Sequence, residues 1–288
     1  MERIQEAIAK ARAERQGAIG QTPTPGEGPL PRQPDQPRLQ PRPQHAEAPR
    51  PSAPPPPIAA MKPVTAYTQT RRVALQDDAL KAKRVIAGFV ADERVEAYRQ
   101  LRTQVLKMMR ANQWNTLAIT SAHENAGKTL TAVNLAISMS RDVNQTVLLV
   151  DLDLRRSSVH QTLGIEIEHG IVDCINAGMP VSEVLINPGF ERLVILPCLP
   201  QGQYASEILS SPEMRRLIDD IKHRYESRII IFDLPPLLRN DDAMMITHML
   251  DATLLVVEDG VTTEEDLTRS MQLLEGVNLL GTVLNKAR

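Results

Sequence analysis

Residues 117–129, LAITSAHENAGKT, contain the pattern that decides the fold. The first five residues form a short apolar run typical of a buried strand, and Lys128 opens a segment with helical periodicity. Between them, the eight residues from Ala122 to Thr129 match the spacing of a phosphate-binding P-loop, with alanine where the first glycine usually stands. A strand that leads through such a loop into a helix points backbone N–H groups at an anion. The stretch therefore predicts a phosphate site at the end of a strand.

The alternation of apolar runs and helical segments continues to the end of the chain. Further strand-like runs lie at 146–151, 193–197, 228–233, 252–257 and 280–284. Helices are predicted ahead of the first strand, from Asp92, and between the strands at 128–140, 206–226, 241–250 and 263–275. Continuously apolar strands that alternate with helices are typical of a parallel sheet covered on both faces. We therefore predict an α/β, doubly wound, mainly parallel fold with ligands at the carboxyl ends of its strands.

Two of the apolar runs end in aspartate. Asp151 begins the sequence DLDLR after the second run, and Asp233 begins DLPP after the fourth. A single aspartate at such a position is usually a helix cap. Two of them beside a P-loop indicate a bound Mg-nucleotide instead, because Mg²⁺ takes one or two carboxylates together with waters and phosphate oxygens. We expect Thr129, Asp151 and Asp233 to hold Mg²⁺, and Lys128 to reach the β- and γ-phosphates.

Three motifs in this order resemble those of a known family. They are Gly127-Lys128-Thr129, Asp151/Asp153/Arg155 and Asp233/Pro236. Over roughly residues 92–288, the chain resembles the cytoplasmic domain of the bacterial tyrosine kinases of exopolysaccharide and capsule synthesis, of the stand-alone type. The resemblance implies a P-loop NTPase of the deviant Walker type. It also implies transfer of the γ-phosphoryl group of Mg-ATP to tyrosine.

The resemblance also implies roles for individual residues. Lys128, Asp151, Asp153 and Asp233 are the implied catalytic residues, with Asp153 nearest to the incoming tyrosine hydroxyl. The implied nucleotide-binding residues are Glu124, Asn125, Ala126, Gly127, Lys128, Thr129, Leu130 and Asn285. For Asn285, which follows the last strand, a simple cap of the strand end explains the residue equally well.

The predicted helix from Asp92 carries the pattern ExxRxxR in Glu96, Arg99 and Arg102. This spacing aligns the three side chains along one flank of a helix, where they are available for charge pairing between subunits. In the family that the chain resembles, such a helix helps to build a homo-oligomeric ring. A solvated face with local Glu–Arg pairs is the alternative interpretation.

The chain departs from that family at two points. The family commonly ends in a tyrosine-rich tail, whereas the four tyrosines here are Tyr67, Tyr98, Tyr204 and Tyr225. We expect only Tyr67 to be exposed enough to act as a substrate, which makes autophosphorylation doubtful. The P-loop has Glu124-Asn125-Ala126 where Pro-Gly-Glu is common. Asparagine tolerates a left-handed backbone, so the loop can still form, but an inward-pointing Glu124 would weaken phosphate binding.

Composition divides the chain into parts. Of its 22 prolines, 15 lie between Pro23 and Pro63, so this segment cannot supply regular backbone hydrogen bonds. We predict a short docking helix within residues 1–20, a Pro-rich disordered linker and arm over 21–91, and a P-loop ATPase or kinase domain over 92–288. The two cysteines exclude a disulfide framework.

The net charge of −2 gives no general attraction to nucleic acid or to an anionic membrane, and no apolar run is long enough to span a bilayer. We therefore expect a cytoplasmic protein without direct membrane insertion. The resemblance implies that a membrane chain-length-determinant (co-polymerase) protein holds it at the inner membrane. The leading hypothesis is a tyrosine kinase that controls exopolysaccharide synthesis and export. The alternatives are a nucleotide-switched regulatory ATPase of the same machinery and a partitioning ATPase.

Overall fold

The computed structural model describes residues 70–89, 92–224 and 228–287. Its strands are β1 (Arg71–Arg72), β2 (Thr116–Ser121), β3 (Thr146–Asp151), β4 (Ile186–Asn187), β5 (Leu193–Leu196), β6 (Arg228–Asp233), β7 (Ala252–Glu258) and β8 (Leu279–Asn285). Its helices are α1 (Asp77–Ala82), α2 (Val95–Ala111), α3 (Lys128–Ser140), α4 (Val159–Leu163), α5 (Ile171–Asn176), α6 (Val181–Val184), α7 (Ala205–Ser210), α8 (Pro212–Arg224), α9 (Asp242–Thr247) and α10 (Glu264–Leu273). A 3₁₀ turn, Gly202–Tyr204, precedes α7.

The strands form one sheet in the order β1-β4-β5-β3-β6-β2-β7-β8. All neighbouring strands are parallel except β4 and β5, which meet antiparallel at a single pair, Ile186 and Ile195. The P-loop strand β2 lies between β6 and β7. The predicted doubly wound, mainly parallel α/β fold is confirmed.

Both faces of the central strands are buried, which explains why these strands are mostly apolar. In β2, Leu117 and Ile119 pack into the core on one face, which includes α2 and α3. Ala118, between them, packs into the core on the other face, which includes α8. Side chains alternate across a strand, so a strand buried on both sides has no solvent-facing positions that polar residues can fill.

The register of the parallel strands places the motif aspartates at one edge. In the pairing of β3 with β6, Asp151 lies directly opposite Asp233. In the pairing of β2 with β6, Asp233 aligns with Ile119, close to the point where β2 runs into the P-loop. Hydrogen bonding between three adjacent strands therefore brings both carboxylates to the phosphate-binding loop.

The predicted helix over 206–226 is divided into α7 and α8. Pro212 opens α8, and a proline disfavours helical backbone in the residue before it. Ser211 is accordingly extended, with ψ 147°. Its hydroxyl oxygen accepts a hydrogen bond from the backbone N–H of Met214 at 3.1 Å and so caps α8.

The described part of the expected arm is packed against the sheet. Leu80, Val85 and Ala87 are each at most 3% exposed and belong to the core that includes α2 and α3. The folded structure therefore includes residues ahead of Asp92, where we placed the start of the domain. The predicted docking helix and most of the Pro-rich linker lie outside the described residues. In the part of the chain that the structure describes, no helix is both long and apolar enough to cross a membrane.

Asn134 of α3 joins the arm to the P-loop helix. Its Oδ1 accepts hydrogen bonds from the backbone N–H groups of Ile86 (2.8 Å) and Ala87 (2.9 Å). Its Nδ2 donates to the carbonyl oxygens of Arg84 (3.1 Å) and Leu130 (3.0 Å). Asn134 is fully buried, so these four bonds use its whole hydrogen-bonding capacity inside the protein.

Replacing Asn134 with alanine leaves two buried N–H groups without their acceptor. We expect Asn134→Ala to lower the free energy of unfolding by about 3 kcal/mol. Urea unfolding, followed by the fluorescence of the single tryptophan, Trp114, measures the change. The exposed Asn144 provides the matched control, since Asn144→Ala should change the stability by less than about 0.5 kcal/mol. Equal stability of the two variants would contradict this role for Asn134.

Candidate functional site

The P-loop connects β2 to α3 and has left-handed backbone at two residues. Asn125 has φ 62°, as we predicted from the tolerance of asparagine for this region. Gly127 has φ 92°, and a Cβ atom there would lie 2.0 Å from Nδ2 of Asn285. Backbone conformation and available space therefore both require glycine at position 127.

Lys128, the first residue of α3, lies in a buried cluster of carboxylates. Its ammonium is 2.7 Å from Oδ2 of Asp153 and 3.7 Å from Oδ1 of Asp233. Lys128 is 8% exposed, and the two aspartates are at most 3% exposed. Burial alone lowers the pKa of Lys128, but attraction to Asp233 and Asp153 outweighs it, so the pKa is raised above its ordinary value. The ammonium is thus held in the charged form at the P-loop.

Asp151 and Asp233, at the ends of β3 and β6, accept hydrogen bonds from different groups. Oδ2 of Asp233 accepts a hydrogen bond of 2.6 Å from the hydroxyl of Thr129. Oδ2 of Asp151 accepts from the backbone N–H groups of Ser158 (2.9 Å) and Val159 (3.0 Å). Burial raises the pKa of both carboxyls, and repulsion from Asp233 raises that of Asp151 further. These hydrogen bonds and the nearby Lys128 ammonium offset part of the cost of burying the two carboxylates.

These residues fit a magnesium ion that completes its coordination with phosphate and water. Oδ1 of Asp233 is buried and has no hydrogen-bond partner, and a hydroxyl and a second carboxylate lie nearby in Thr129 and Asp151. Among the described residues, no group of three or more His, Cys, Asp or Glu side chains could hold a metal ion alone. Mg²⁺ in nucleotide sites needs only one or two carboxylates, because the substrate supplies further oxygens.

Arg155 fixes the loop that carries Asp153. Its guanidinium donates to the buried carboxylate of Asp242 at 2.6 Å and to the hydroxyl of Ser206 at 2.7 Å. The Ser206 hydroxyl in turn donates to Asp242 at 2.6 Å. Arg155 is recognisable as a motif residue, whereas no local signal marks Ser206, which lies about 50 residues away.

Glu124 of the P-loop is ion-paired with two arginines. Arg156 approaches from the loop after β3, and Arg239 approaches from the segment after β6. The two guanidinium groups therefore neutralise the Glu124 carboxylate. It does not place an unpaired negative charge beside the phosphate site. Both arginine side chains are 56% exposed, and Arg239 belongs to no motif that sequence reasoning could recognise.

Asn285 and Leu130 line a cavity of about 540 Å³ beside the P-loop. The Asn285 side chain donates a hydrogen bond of 2.8 Å to the carbonyl oxygen of Ala126. Gly127 and Tyr98 contribute to the same walls. The cavity therefore connects the phosphate loop to the end of the last strand, where the resemblance implied a nucleotide-binding role for Asn285.

Comparisons with known proteins agree with this architecture. A family model described as an AAA domain matches residues 115–285, which is more than half of the chain. The tyrosine-protein kinase YwqD of Bacillus subtilis is 30% identical over 192 residues, covering 66% of this chain and 80% of that protein. The chain belongs to the bacterial tyrosine-protein kinase family.

Relatives from Escherichia coli support the same assignment. The tyrosine-protein kinase Etk is 32% identical over 197 residues, which cover 68% of this chain. The solved kinase domain of ETK superposes with a TM-score of 0.62 at 31% identity, covering 69% of this chain and 79% of the domain. The chain spans about a quarter of the full-length Etk, since the match covers 27% of that protein. Family membership implies that the P-loop binds a nucleotide.

The ExxRxxR residues of this family member divide between two environments. Glu96 and Arg99 pair with each other at 3.2 Å, and both side chains are more than a third exposed. Arg102 instead donates to the carbonyl oxygen of Ser138 on α3 at 2.9 Å. Within one chain, Arg102 thus ties α2 to the P-loop helix, while Glu96 and Arg99 remain at the surface. A role for the three residues in oligomerisation stays a prediction.

The expectation that only Tyr67 is exposed is wrong. Tyr204 is 62% exposed at the end of the 3₁₀ turn before α7. Tyr98 is partly buried against the core that includes α3, and burial raises the pKa of its hydroxyl. Tyr67 and Tyr225 lie outside the described residues. Sequence reasoning missed Tyr204 because a single exposed residue leaves no periodic signal.

A further side-chain contact links the P-loop to α10. His123 lies 3.0 Å from Asp266, which also accepts hydrogen bonds from the hydroxyl (2.7 Å) and backbone N–H (3.0 Å) of Thr263 at the start of the helix. The Thr263 hydroxyl in turn accepts from the Asp266 N–H, completing a capping box. Bonds from Thr263, with a smaller contribution from His123, lower the pKa of Asp266 to about 2.

The low pKa of Asp266 predicts a pH-dependent contribution to stability. A carboxyl with a depressed pKa stabilises the fold above its unfolded value of about 3.9, and this contribution is lost as the pH falls toward 2. We expect Asp266→Asn to lower the free energy of unfolding by about 1 kcal/mol at pH 7. The difference from the unmodified chain should shrink steadily below pH 4 in urea titrations. A difference that stayed constant from pH 7 to pH 3 would contradict this assignment.

Proposed function

We propose that the protein is an ATP-dependent tyrosine kinase that transfers the γ-phosphoryl group of Mg-ATP to a tyrosine hydroxyl. The observation that carries the proposal is the position of Lys128, whose ammonium lies between Asp153 and Asp233 at the opening of the P-loop. A relative that is named a tyrosine-protein kinase, and of which the chain covers 80%, supports this function over a purely regulatory ATPase.

Lys128 exchanges partners during the reaction. In the structure, its ammonium pairs with Asp153 at 2.7 Å. The γ-phosphate carries more negative charge than a carboxylate, so the ammonium turns to the phosphate when ATP binds. Asp153 is then released and accepts the proton of the incoming tyrosine hydroxyl. The same movement thus stabilises the transferring group and frees the base.

Thr129, Asp151 and Asp233 are the residues that would hold Mg²⁺. The ion would neutralise charge on the β- and γ-phosphates. The remaining P-loop residues, Glu124 to Gly127, surround the phosphates with backbone. Their conformation is maintained by the left-handed residues and by the arginines that bind Glu124.

The cavity beside Asn285 is the site that we assign to the adenine base. Leu130 and Val283 offer apolar walls, and the amide of Asn285 offers a polar group at the end of the strand. A cavity of about 540 Å³ lies within the usual range for small-molecule sites.

The cellular role follows from the family and goes beyond the described residues. We propose that the kinase controls exopolysaccharide synthesis and export from the cytoplasm, at the inner membrane, through a membrane co-polymerase partner. We assign partner docking to residues 1–20, tethering to the Pro-rich segment within 21–91, and catalysis to 92–288. The exposed pair of Glu96 and Arg99 supports an oligomer, with a ring as the expected form.

Loss of the Lys128 ammonium should abolish transfer. We expect Lys128→Ala to reduce phosphorylation of the tyrosine-containing polymer poly(Glu,Tyr) by at least about 100-fold, because removing one preorganised electrostatic contact costs two to three orders of magnitude. The assay measures transfer of label from γ-labelled ATP in the presence of Mg²⁺.

The matched control is Lys107→Ala, which removes an exposed lysine from α2 and should retain full activity. If the unmodified chain hydrolyses ATP without labelling tyrosine, the kinase proposal fails, and the nucleotide-switched regulatory ATPase becomes the better description. Equal activity of the two lysine variants would also contradict the proposed mechanism.

A further inference from the structure

Tyr204 is displayed on an anchored turn. It is 62% exposed, and the turn around it is fixed by hydrogen bonds on both sides. On the preceding side, the backbone N–H of Gln201 donates to the carbonyl oxygen of Leu154 at 2.7 Å. On the following side, the hydroxyl of Ser206 accepts from Arg155 at 2.7 Å. The phenol is therefore accessible without unfolding of the turn that carries it.

The ring of Tyr204 borders a cavity that is separate from the phosphate site of its own chain. This cavity has a volume of about 570 Å³. Its walls include Ile175, Gln201, Tyr204, Glu207, Ile208 and Ser211. Neither Lys128 nor Asp153 lines it. The cavity beside Tyr204 and the phosphate site are therefore lined by different residues.

The charge around Tyr204 complements the charge around the P-loop. Glu207 and Glu213 line the same cavity as Tyr204. At the P-loop, Arg156 and Arg239 share the single carboxylate of Glu124, and both remain more than half exposed. An acidic surface that carries a tyrosine can therefore meet a basic surface that carries the phosphate site. A second copy of the same chain supplies both partners.

We propose that Tyr204 is a phosphorylation site, modified in trans by the phosphate site of a second copy of this chain. The inference rests on the proposed kinase function. In the step, the Tyr204 hydroxyl oxygen forms a bond to the γ-phosphorus of ATP as the bond from that phosphorus to the β–γ bridging oxygen breaks. ADP leaves with the electron pair, and the phenol proton passes to Asp153 of the donor copy and then to water.

The test uses full-length chains in separate donor and acceptor roles. The acceptor is an affinity-tagged Lys128→Ala chain, which cannot modify itself. The donor is the untagged, unmodified chain with Mg-ATP. After recovery by the tag, mass spectrometry of the peptides should locate phosphate on Tyr204. The matched acceptor Lys128→Ala/Tyr204→Phe should incorporate at least about tenfold less phosphate than the Lys128→Ala acceptor. The acceptor Lys128→Ala/Tyr67→Phe should incorporate as much as the Lys128→Ala acceptor.

Parallel reactions with poly(Glu,Tyr) separate failure of this inference from failure of the proposed function. If the polymer is phosphorylated but the acceptor keeps its label without Tyr204, or gains none, the inference is overturned and the kinase function stands. If neither the polymer nor the acceptor is labelled, the proposed function fails and the inference fails with it.

A donor with Tyr204→Phe should phosphorylate the polymer within about twofold of the unmodified rate. A larger loss would show that Tyr204 is part of the fold of the site and would overturn its role as an acceptor.

Discussion

The attraction of the Lys128 ammonium to the carboxylates of Asp153 and Asp233 is the interaction on which the rest of the site depends. Removing charges from water costs several kcal/mol for each ion, and only close opposite charges compensate for it. The sheet provides this closeness, because the register of β3 with β6 sets Asp151 opposite Asp233. The P-loop then delivers Lys128 and Thr129 to the same edge. A cluster of this kind is costly as a purely structural device, yet it matches the charges of a Mg-nucleotide, which is why we assign it to function.

Around this cluster, further charge pairs connect the loops at the phosphate site. Arg155 ties the loop after β3 to Asp242 at the start of α9. Glu124 joins the P-loop to Arg156 and Arg239, which come from two different strand ends. The exposed pairs of Glu124 with Arg156 and Arg239 contribute little stability individually. Their effect is geometric, since each one restricts how a loop can approach the phosphates. The excess of positive charge that they leave at the surface also suits the approach of an acidic acceptor such as the surroundings of Tyr204.

Sequence reasoning predicted the sheet and the motif residues because both leave local signals. Strands buried on both faces must be continuously apolar, and Asp151 and Asp233 interrupt that pattern at its end. Other features depend on contacts between distant parts of the chain. In the sequence, Asn134 looks like any other polar residue of a helix. Only the folded structure shows its hydrogen bonds to residues 84–87. The division of the predicted helix at Ser211 does have a local signal, because Pro212 disfavours helical backbone in the residue before it. The exposure of Tyr204 follows from packing alone and could not have been read from its neighbours.

Thermal unfolding of the full chain tests most directly whether the buried carboxylates bind a magnesium nucleotide. A ligand present at 100 times its Kd stabilises the folded state by about 2.7 kcal/mol. For a domain of this size, that raises the Tm by roughly 5–10 °C. We expect this rise in Tm for ATP with Mg²⁺ and a much smaller rise for ATP with a chelator. In Asp233→Asn, Mg²⁺ should no longer increase the rise in Tm that ATP produces. Equal shifts with and without Mg²⁺ in the unmodified chain would contradict magnesium binding at these carboxylates.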